Sequence, residues 1–392
     1  RSSAASDVYK RQPVIIRSIE IIRISIPFTA GSVQRHNHGL AKDDDAFNAA
    51  SPSHRRMESL MLKVTTDTGL AGWGEAFGHG SNPVTFKALS AVVGPMFIGT
   101  RLEDHEQTME RVRRAVHGFG STGAMLYALS GIDIALWDLA AQTAGVPLYQ
   151  LLGGTPRTLE LYASLVSYGN DPDEVRRQVS RARELGFRKI KLHETHIDAI
   201  AAAREALPVA AGELMVDVNC PWSVGQASEI ARHLTALELT WLEEPVWPPD
   251  DVAGLARVRR IGVPLSAGEN AAGVQGIKAL LEHQAIDIVQ PSVAKIGGIG
   301  EMLQVFALAA EHGVKVVPHC FYFGPGLLAV AHLCTLLPAD VAVEVPFIEF
   351  ERLLYPALAF KPRMDLPSVA GLGFAPDLQV IDDYCIERAL ID

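Results

Sequence analysis

The chain has 392 residues, of which 48% are hydrophobic and 20% are charged, and its net charge is −10 at neutral pH. This composition is typical of folded globular proteins, and the length suits a barrel of about 250 residues with an additional module. The acidic balance argues against nucleic acid as a partner, and the short, interrupted apolar stretches argue against insertion into a membrane.

The first 155 residues read as a tail followed by a module of sheet and helices. Residues 1–12 show no apolar period, so we expect a disordered or expression-derived tail rather than a secretory signal. Strands are predicted at 14–16, 19–26, 61–66 and 72–75, and helices at 102–117 and 122–144. The polar connection 29–56 is too long for an ordinary linkage in a compact domain. We interpret it as a lid, with disorder as the alternative.

Short β-rich runs alternate with helical runs after residue 155. The predicted strands lie at 159–167, 189–194, 214–219, 241–245, 264–270, 287–293, 315–320 and 341–347. This alternation is the pattern of βα units, and eight of them predict a parallel (β/α) barrel over residues 156–348. Residues 349–392 contain no further βα unit, so we expect them to pack back on the N-terminal module.

The cysteines indicate a reducing environment. Cys220, Cys320, Cys334 and Cys385 lie far apart and match neither a zinc-ligand spacing nor a CxxC motif. We therefore expect structural thiols in a cytoplasmic protein.

Three carboxylates end successive predicted strands. Asp217, Glu243 and Glu269 follow one another at an equal spacing of 26 residues, which is about one βα unit. The carboxyl ends of parallel barrel strands meet at one face, where active sites are built. Three convergent negative charges repel one another unless a cation neutralises them, and hard oxygen ligands suit Mg²⁺. The spacing therefore predicts a magnesium site, although any one of these residues alone would more often be a helix cap or a solvated charge.

Basic residues end two other strands of the predicted barrel. Lys189, Lys191 and His193 alternate, so they project to one side of their strand. If that side faces the barrel interior, burial and mutual repulsion lower the lysine pKa values and allow one lysine to act as a general base. The alternative is that the lysines point outward over a helix. His319 ends the seventh strand, across the barrel, as a candidate acid or second base.

These motifs, taken in order, resemble the mandelate racemase group of the enolase superfamily. The resemblance rests on Lys189-x-Lys191, Asp217-x-Asn219, Glu243-Glu244-Pro245, Gly268-Glu269-Asn270, Lys295-Ile296-Gly297-Gly298, His319 and the segment from Gly131 to Asp138. It extends over nearly everything from Pro13 to the C-terminus. It implies a modified TIM-like barrel with an α+β capping domain over residues 13–155, completed by residues 349–392, and a homo-oligomeric assembly.

The resemblance also implies roles for individual residues. Asp217, Glu243 and Glu269 become the Mg²⁺ ligands, Lys191 becomes the base with Lys189 as the neighbour that tunes it, and His319 becomes the second acid/base. The implied substrate contacts are Asn219, Lys295 and Glu344, and we add His36 and His38 of the predicted lid as candidates for specificity.

One position departs from the family pattern. Ser292 stands where racemase-like sequences have an aspartate that orients the histidine. A serine can hydrogen-bond an imidazole but cannot supply the negative charge that stabilises the imidazolium. We therefore expect His319 to be a weaker base that still serves as an acid.

The predicted reaction begins with removal of the α-proton of a small carboxylate substrate, giving an enediolate. Protonation of a β-hydroxyl by His319 would make the enzyme a sugar-acid or hydroxy-acid dehydratase, which we favour. Return of a proton to the opposite face would make it a racemase or epimerase. A carboxylate-binding barrel without turnover, and an aldolase using a Schiff-base lysine, are the hypotheses from other classes.

Overall fold

The computed structural model describes residues 13–31, 55–355 and 361–392. The strands are β1 (Ile16–Thr29), β2 (Arg56–Thr66), β3 (Ala71–Ala76), β4 (Leu159–Ser164), β5 (Lys189–Leu192), β6 (Glu213–Asp217), β7 (Trp241–Glu243), β8 (Leu265–Ala267), β9 (Ile288–Val289), β10 (Lys315–Val316), β11 (Val343–Pro346), β12 (Glu349–Phe350), β13 (Arg363–Met364) and β14 (Cys385–Ile391). The helices are α1 (Asn82–Ala88), α2 (His105–Val116), α3 (Ala124–Ala144), α4 (Leu148–Leu151), α5 (Pro172–Glu184), α6 (Ile197–Ala206), α7 (Val224–Leu234), α8 (Val252–Arg259), α9 (Gly273–Glu282), α10 (Ile299–Glu311), α11 (Pro325–Cys334) and α12 (Leu378–Tyr384).

Strands β1 to β3 and helices α1 to α3 form a layer that we call the cap. The three strands are antiparallel neighbours, and the buried face of the sheet packs its isoleucines and leucines under α3. A Cβ atom at Gly74 would lie 1.9 Å from the Gly131 carbonyl oxygen, so glycine is needed for this close approach of strand and helix. Helix α3 has the length and apolar composition of a membrane span, but 72% of its most apolar stretch is buried inside the protein. Its apolar surface is thus accounted for by the core.

The eight predicted parallel strands are all present and confirm the barrel fold. Their order is β10-β9-β8-β7-β6-β5-β4-β11, with the helices between them along the chain. Most strands are shorter than predicted because their ends turn into the loops that carry the polar residues. Strands β10 and β11 stand at the two ends of this order. The Cys320 backbone N–H donates to the Glu344 carboxylate at 2.7 Å and links the two ends.

The C-terminal residues contribute to both sheets. Strands β12 and β14 pair with β1 in antiparallel fashion, whereas β13 pairs with β4 of the barrel. Most of the predicted lid lies outside the described residues, as do its His36 and His38 and the tail 1–12.

Candidate active site

The three predicted metal ligands lie at the carboxyl ends of adjacent strands. Asp217 and Glu243 are the last residues of β6 and β7 and stand opposite each other in the parallel register. Glu269 follows two residues after β8 ends. Asp217 and Glu243 are buried, and the Glu269 side chain is only 12% exposed. The equal spacing in the sequence therefore corresponds to three acidic side chains at one rim of the barrel.

Lys191 on β5 lies among buried carboxylates. Its Nζ atom is 3.3 Å from Asp217 Oδ2, 3.2 Å from Glu243 Oε1 and 2.7 Å from Glu344 Oε1. Burial acts to lower the pKa of Lys191, but Glu243, Glu344 and Asp217 outweigh it and hold the pKa well above its ordinary value. These contacts therefore contradict the predicted lowering of the Lys191 pKa.

Lys189 lies at the opposite end of the barrel, so its predicted tuning of Lys191 is also wrong. Its Nζ atom donates to the Asp340 carbonyl at 2.9 Å and pairs with Glu160 and Glu213, each at 3.3 Å. Alternation in a strand places residues on one side but does not say which end they occupy. Lys189 begins β5, whereas the acidic side chains gather where the strands end.

His193 is the site residue that the predicted set omitted. It follows β5 immediately, is 9% exposed, and its Nε2 atom is 3.3 Å from Asp217 Oδ2. Its Nδ1–H donates to the Leu165 carbonyl oxygen, which directs Nε2 toward the acidic side chains. The signal was present in the Lys-x-Lys-x-His alternation, because the two members nearest the carboxyl end are Lys191 and His193.

His319 contacts the site from the other side of the barrel. Its Nε2 atom is 2.8 Å from Glu269 Oε2, and the ring is buried. Its Nδ1 atom has no hydrogen-bond partner among the described residues.

Ser292 does not orient the His319 ring, contrary to the prediction. The two residues are neighbours in a backbone bridge, but the Ser292 hydroxyl forms a short hydrogen bond with the Tyr322 hydroxyl. The Tyr322 ring stands edge-on to His319, with 5.9 Å between ring centroids. The tyrosine that hydrogen-bonds Ser292 is 30 residues away in the chain, and a strand pattern cannot reveal a contact at that separation.

The three predicted substrate contacts in the described part of the chain have different surroundings. Lys295 Nζ donates to Asn270 Oδ1 at 3.0 Å, pairs with Glu269 at 3.5 Å and lies 4.5 Å from the centre of the Phe77 ring. Asn219 is exposed in a left-handed conformation with a φ of 54°. Its backbone N–H donates to the Asp217 carboxylate at 3.0 Å.

Glu344 is fully buried and engaged, so it faces Lys191 and the Cys320 amide rather than open space. Burial acts to raise its pKa, but Lys191 and His319 outweigh burial and bring the pKa to about 2. Glu344 is thus a fixed anion beneath the lysine.

The acidic set fits a divalent cation in its chemistry and in its placement on successive strands. Burial, followed by repulsion from Asp217, Glu344 and Glu269, raises the pKa of Glu243 well above its ordinary value even with Lys191 opposing the shift. Excess buried negative charge of this kind is what a bound Mg²⁺ relieves. Within residues 13–31, 55–355 and 361–392, no group of three acidic, histidine or cysteine side chains is already gathered as a cage. The carboxylates are paired with Lys191, His193, Lys295 and His319 instead.

Of two clefts along the barrel in the described part of the chain, one adjoins the acidic rim. A cleft of about 640 Å³ opens beside Glu269 and Lys295, between Tyr127 of α3 and Trp247 of the loop after β7. A cleft of about 750 Å³ lies at the other end around Lys189, away from the strand-end carboxylates. The first of these reaches the candidate active site.

Comparison with known proteins agrees with this architecture. A family model described as the N-terminal domain of mandelate racemase / muconate lactonizing enzyme matches residues 42–153, and one described as enolase C-terminal domain-like matches residues 174–380. The chain is 31% identical over 348 residues to a D-galactarolactone cycloisomerase from Agrobacterium fabrum, covering 85% of this chain and 90% of that protein. It is 29% identical over 360 residues to a D-xylonate dehydratase from Haloferax volcanii, covering 84% of this chain and 85% of that protein.

Solved structures give the same result. A mandelate racemase/muconate lactonizing protein from Paracoccus denitrificans, complexed with magnesium, matches with a TM-score of 0.80 and 27% identity, covering 95% of this chain and 99% of that chain. Because the two family models account for most of the sequence and the cycloisomerase is similar along most of both chains, this chain belongs to the mandelate racemase and muconate lactonizing enzyme group of the enolase superfamily.

Proposed function

We propose that this protein removes the α-proton of a sugar acid or similar hydroxy acid and then eliminates the β-hydroxyl as water. The observation that carries the proposal is the buried acidic rim formed by Asp217, Glu243 and Glu269, with nitrogen-bearing side chains on either side of it. The relatives named as a D-xylonate dehydratase and a D-galactarolactone cycloisomerase support sugar acids as the substrate class.

The three acidic side chains would hold Mg²⁺ through carboxylate oxygens. When bound, the ion supplies positive charge to the substrate carboxylate, which stabilises the negative charge that develops as the α-proton leaves. The magnesium in the similar Paracoccus denitrificans structure supports this choice of metal.

His193 is the better candidate for the base than Lys191. Lys191 is fully buried, and its shortest contact, 2.7 Å to Glu344, is with a carboxylate outside the proposed metal ligands. His193 instead contacts the proposed ligand Asp217, whose charge Mg²⁺ would engage. Histidine gives and accepts protons readily near neutral pH. We therefore assign proton removal to His193 Nε2 and leave Lys191 as a fixed cation that favours the enediolate.

His319 would act as the acid on the other side of the substrate. Its Nδ1 atom has no hydrogen-bond partner in the part of the chain that the structure describes, so the ring lacks the orienting carboxylate of a His–Asp pair. A proton from His319 would leave with the β-hydroxyl as water, and the resulting enol would tautomerise to a 2-keto acid. Racemisation is less well supported because it needs a strong second base.

A lactone is the second candidate substrate. The relative that is 31% identical is named a D-galactarolactone cycloisomerase. Elimination from a lactone would expel the ring oxygen as a carboxylate, which needs less help from an acid than the loss of hydroxide does.

Assembly and location are proposed from the family resemblance and the absence of motifs. We propose a homo-oligomer, in keeping with the symmetric assemblies of this superfamily, and a cytoplasmic enzyme because the cysteines match no disulfide or zinc framework. The small-molecule substrate remains the only partner that the acidic site predicts.

The experiment is a panel of aldonates, aldarates and their lactones incubated with the protein and Mg²⁺ in D₂O. Formation of a 2-keto acid supports dehydration, whereas a ring-opened product from a lactone supports the second candidate. Exchange of the α-proton without either product indicates epimerisation. Absence of both exchange and product across the panel, together with tight binding of an acid, would mean a barrel that binds without turnover.

A further inference from the structure

Two buried carboxylates of the cap, Glu75 and Asp133, contact the N-termini of two barrel helices. Glu75 lies near the end of β3, is 2% exposed and accepts from the Gly326 backbone N–H at 2.8 Å. It also accepts from the Ser59 hydroxyl at 2.5 Å and from the backbone of Gly324. Gly324 is the residue before helix α11 and Gly326 is its second residue, so the first backbone amides at this helix N-terminus donate to a side chain of the cap.

Asp133 on α3 makes the equivalent contact with helix α10. Its carboxylate accepts from the Gly300 backbone N–H at 3.2 Å and from that of Ile299. The neighbouring Ser130 hydroxyl accepts from the Gly297 N–H at 2.8 Å. A Cβ atom at Gly298 would lie 2.3 Å from Asp133 Oδ2, and the φ of Gly298 is +96°, so only glycine permits this approach.

Each helix follows a segment that carries a residue of the candidate active site. His319 lies five residues before Gly324, and Lys295 lies four residues before Ile299. Phe77, two residues after Glu75, connects the cap to the second of these segments. Its backbone N–H donates to the Ala294 carbonyl at 3.2 Å, and its ring lies 4.5 Å from Lys295 Nζ.

We propose that Glu75 and Asp133 are positioning residues that hold the segments carrying His319 and Lys295 against the cap. The inference rests on the proposed function for its catalytic consequence. A carboxylate at a helix N-terminus accepts from amides that the helix leaves unpaired and is favoured by the helix dipole. Fixing the first turn of α10 and α11 in this way fixes the point from which each preceding segment extends.

The burial of these two carboxylates is costly for stability. Burial raises the pKa of Glu75 to about 7 and that of Asp133 to about 7, although the helix amides act in the opposite direction. A neutral residue would avoid the cost of burying a charge at either place. In these positions the two carboxylates fix the geometry between the cap and the two segments of the site.

Asp138 provides a matched control on the same helix. It is 2% exposed and accepts from the backbone N–H groups of Trp73 and Leu372, each at 2.8 Å, rather than from a segment that carries a site residue. Asp138→Asn therefore tests the loss of a buried carboxylate from α3 without releasing α10 or α11.

The test compares amide hydrogen exchange and turnover in the full-length protein and its Glu75→Gln, Asp133→Asn and Asp138→Asn variants. Glu75→Gln is expected to speed exchange of the amides at 320–326 by about tenfold, and Asp133→Asn that at 296–300, with Asp138→Asn changing neither. With the sugar acid identified in the panel, the first two variants are expected to lower kcat by about tenfold with KM within about threefold. The control is expected to keep the wild-type kcat.

Two further variants keep the test decisive if Glu75→Gln fails to fold. Ser59→Ala removes a single hydrogen bond to Glu75, and Gly326→Ala places a Cβ atom 2.9 Å from Glu75 Oε2. Both are expected to speed exchange in the same segment by about threefold. Unchanged exchange in all Glu75-directed variants overturns the proposal, as does faster exchange with a wild-type kcat. If the wild-type protein turns over no acid, the proposed function fails, while the exchange measurements still decide whether the two carboxylates hold these segments.

Discussion

His193→Asn tests the proposed base while leaving its support in place. The asparagine Nδ2 atom can replace the imidazole Nδ1–H that donates to the Leu165 carbonyl, and only the Nε2 atom that faces Asp217 is removed. Loss of a general base lowers the rate by about 10² to 10⁴, which corresponds to about 3 to 5 kcal/mol in the activation barrier. Stability is expected to fall by only about 1 kcal/mol, because Asp217 keeps its contact with Lys191.

The assay follows exchange of the substrate α-proton with D₂O by NMR, beside formation of the 2-keto acid. Lys189→Met is the control, because Lys189 makes partly exposed ion pairs with Glu160 and Glu213 at the other end of the barrel. Such pairs contribute about 0 to 1 kcal/mol each, so the exchange rate of this variant is expected to stay within about threefold of the wild type. Exchange by His193→Asn at more than a tenth of the wild-type rate, or a large loss in Lys189→Met, would refute the assignment.

Three other changes test the acid, the metal site and the joint between barrel and C-terminal segment. His319→Asn is expected to retain α-proton exchange but lose keto-acid formation, and loss of both activities would contradict its role as the acid alone. Glu243→Gln is expected to raise the thermal stability of chelator-treated protein by relieving buried charge, and to abolish the stabilisation by Mg²⁺, which is about 2.7 kcal/mol at a hundredfold excess over Kd in the wild type. Glu160→Gln should leave that stabilisation intact. Burial lowers the pKa of His332 to about 4 from 6.5, so the unfolded chain takes up a proton first and stability falls by about 3 kcal/mol as the pH falls from 6.5 to 4. Urea unfolding at several pH values gives the free energy of unfolding as a function of pH, and this free energy should fall less steeply below pH 6.5 in His332→Gln. An identical pH dependence would exclude this histidine as the source.

The carboxylates and the barrel could be predicted together because both depend on a repeat. One βα unit recurs along the chain, and any residue that ends each strand recurs with it, so Asp217, Glu243 and Glu269 needed only the spacing and the polarity of a parallel barrel. The choice between Lys189 and His193 as the partner of Lys191 depended on the same strand direction, because the site lies at the carboxyl ends of the strands. Applying it to β5 would have favoured the histidine, since the strand begins at Lys189.

Contacts between segments that are distant in the chain could not be predicted, because no repeat in the sequence marks them. Ser292 stands at the position expected of an orienting residue, but its hydroxyl meets Tyr322 from the loop after β10. Glu75 lies in a predicted strand and Asp133 in the segment from Gly131 to Asp138, yet their contacts with α11 and α10 cross from the cap to the barrel. Strand and helix periods report which face of an element is buried, and they contain no information on which polar group meets it there.

The charge arrangement links metal binding to the readiness of the catalytic groups. Asp217 pairs with Lys191 and His193, and Glu269 pairs with Lys295 and His319, so the proposed metal ligands are also the partners of the side chains that would act on the substrate. A divalent cation shared by these carboxylates would weaken all four pairs, because each carboxylate would direct its charge to the ion. His193 Nε2 would then no longer be held by the Asp217 carboxylate. We therefore expect metal to bind before substrate in the productive order.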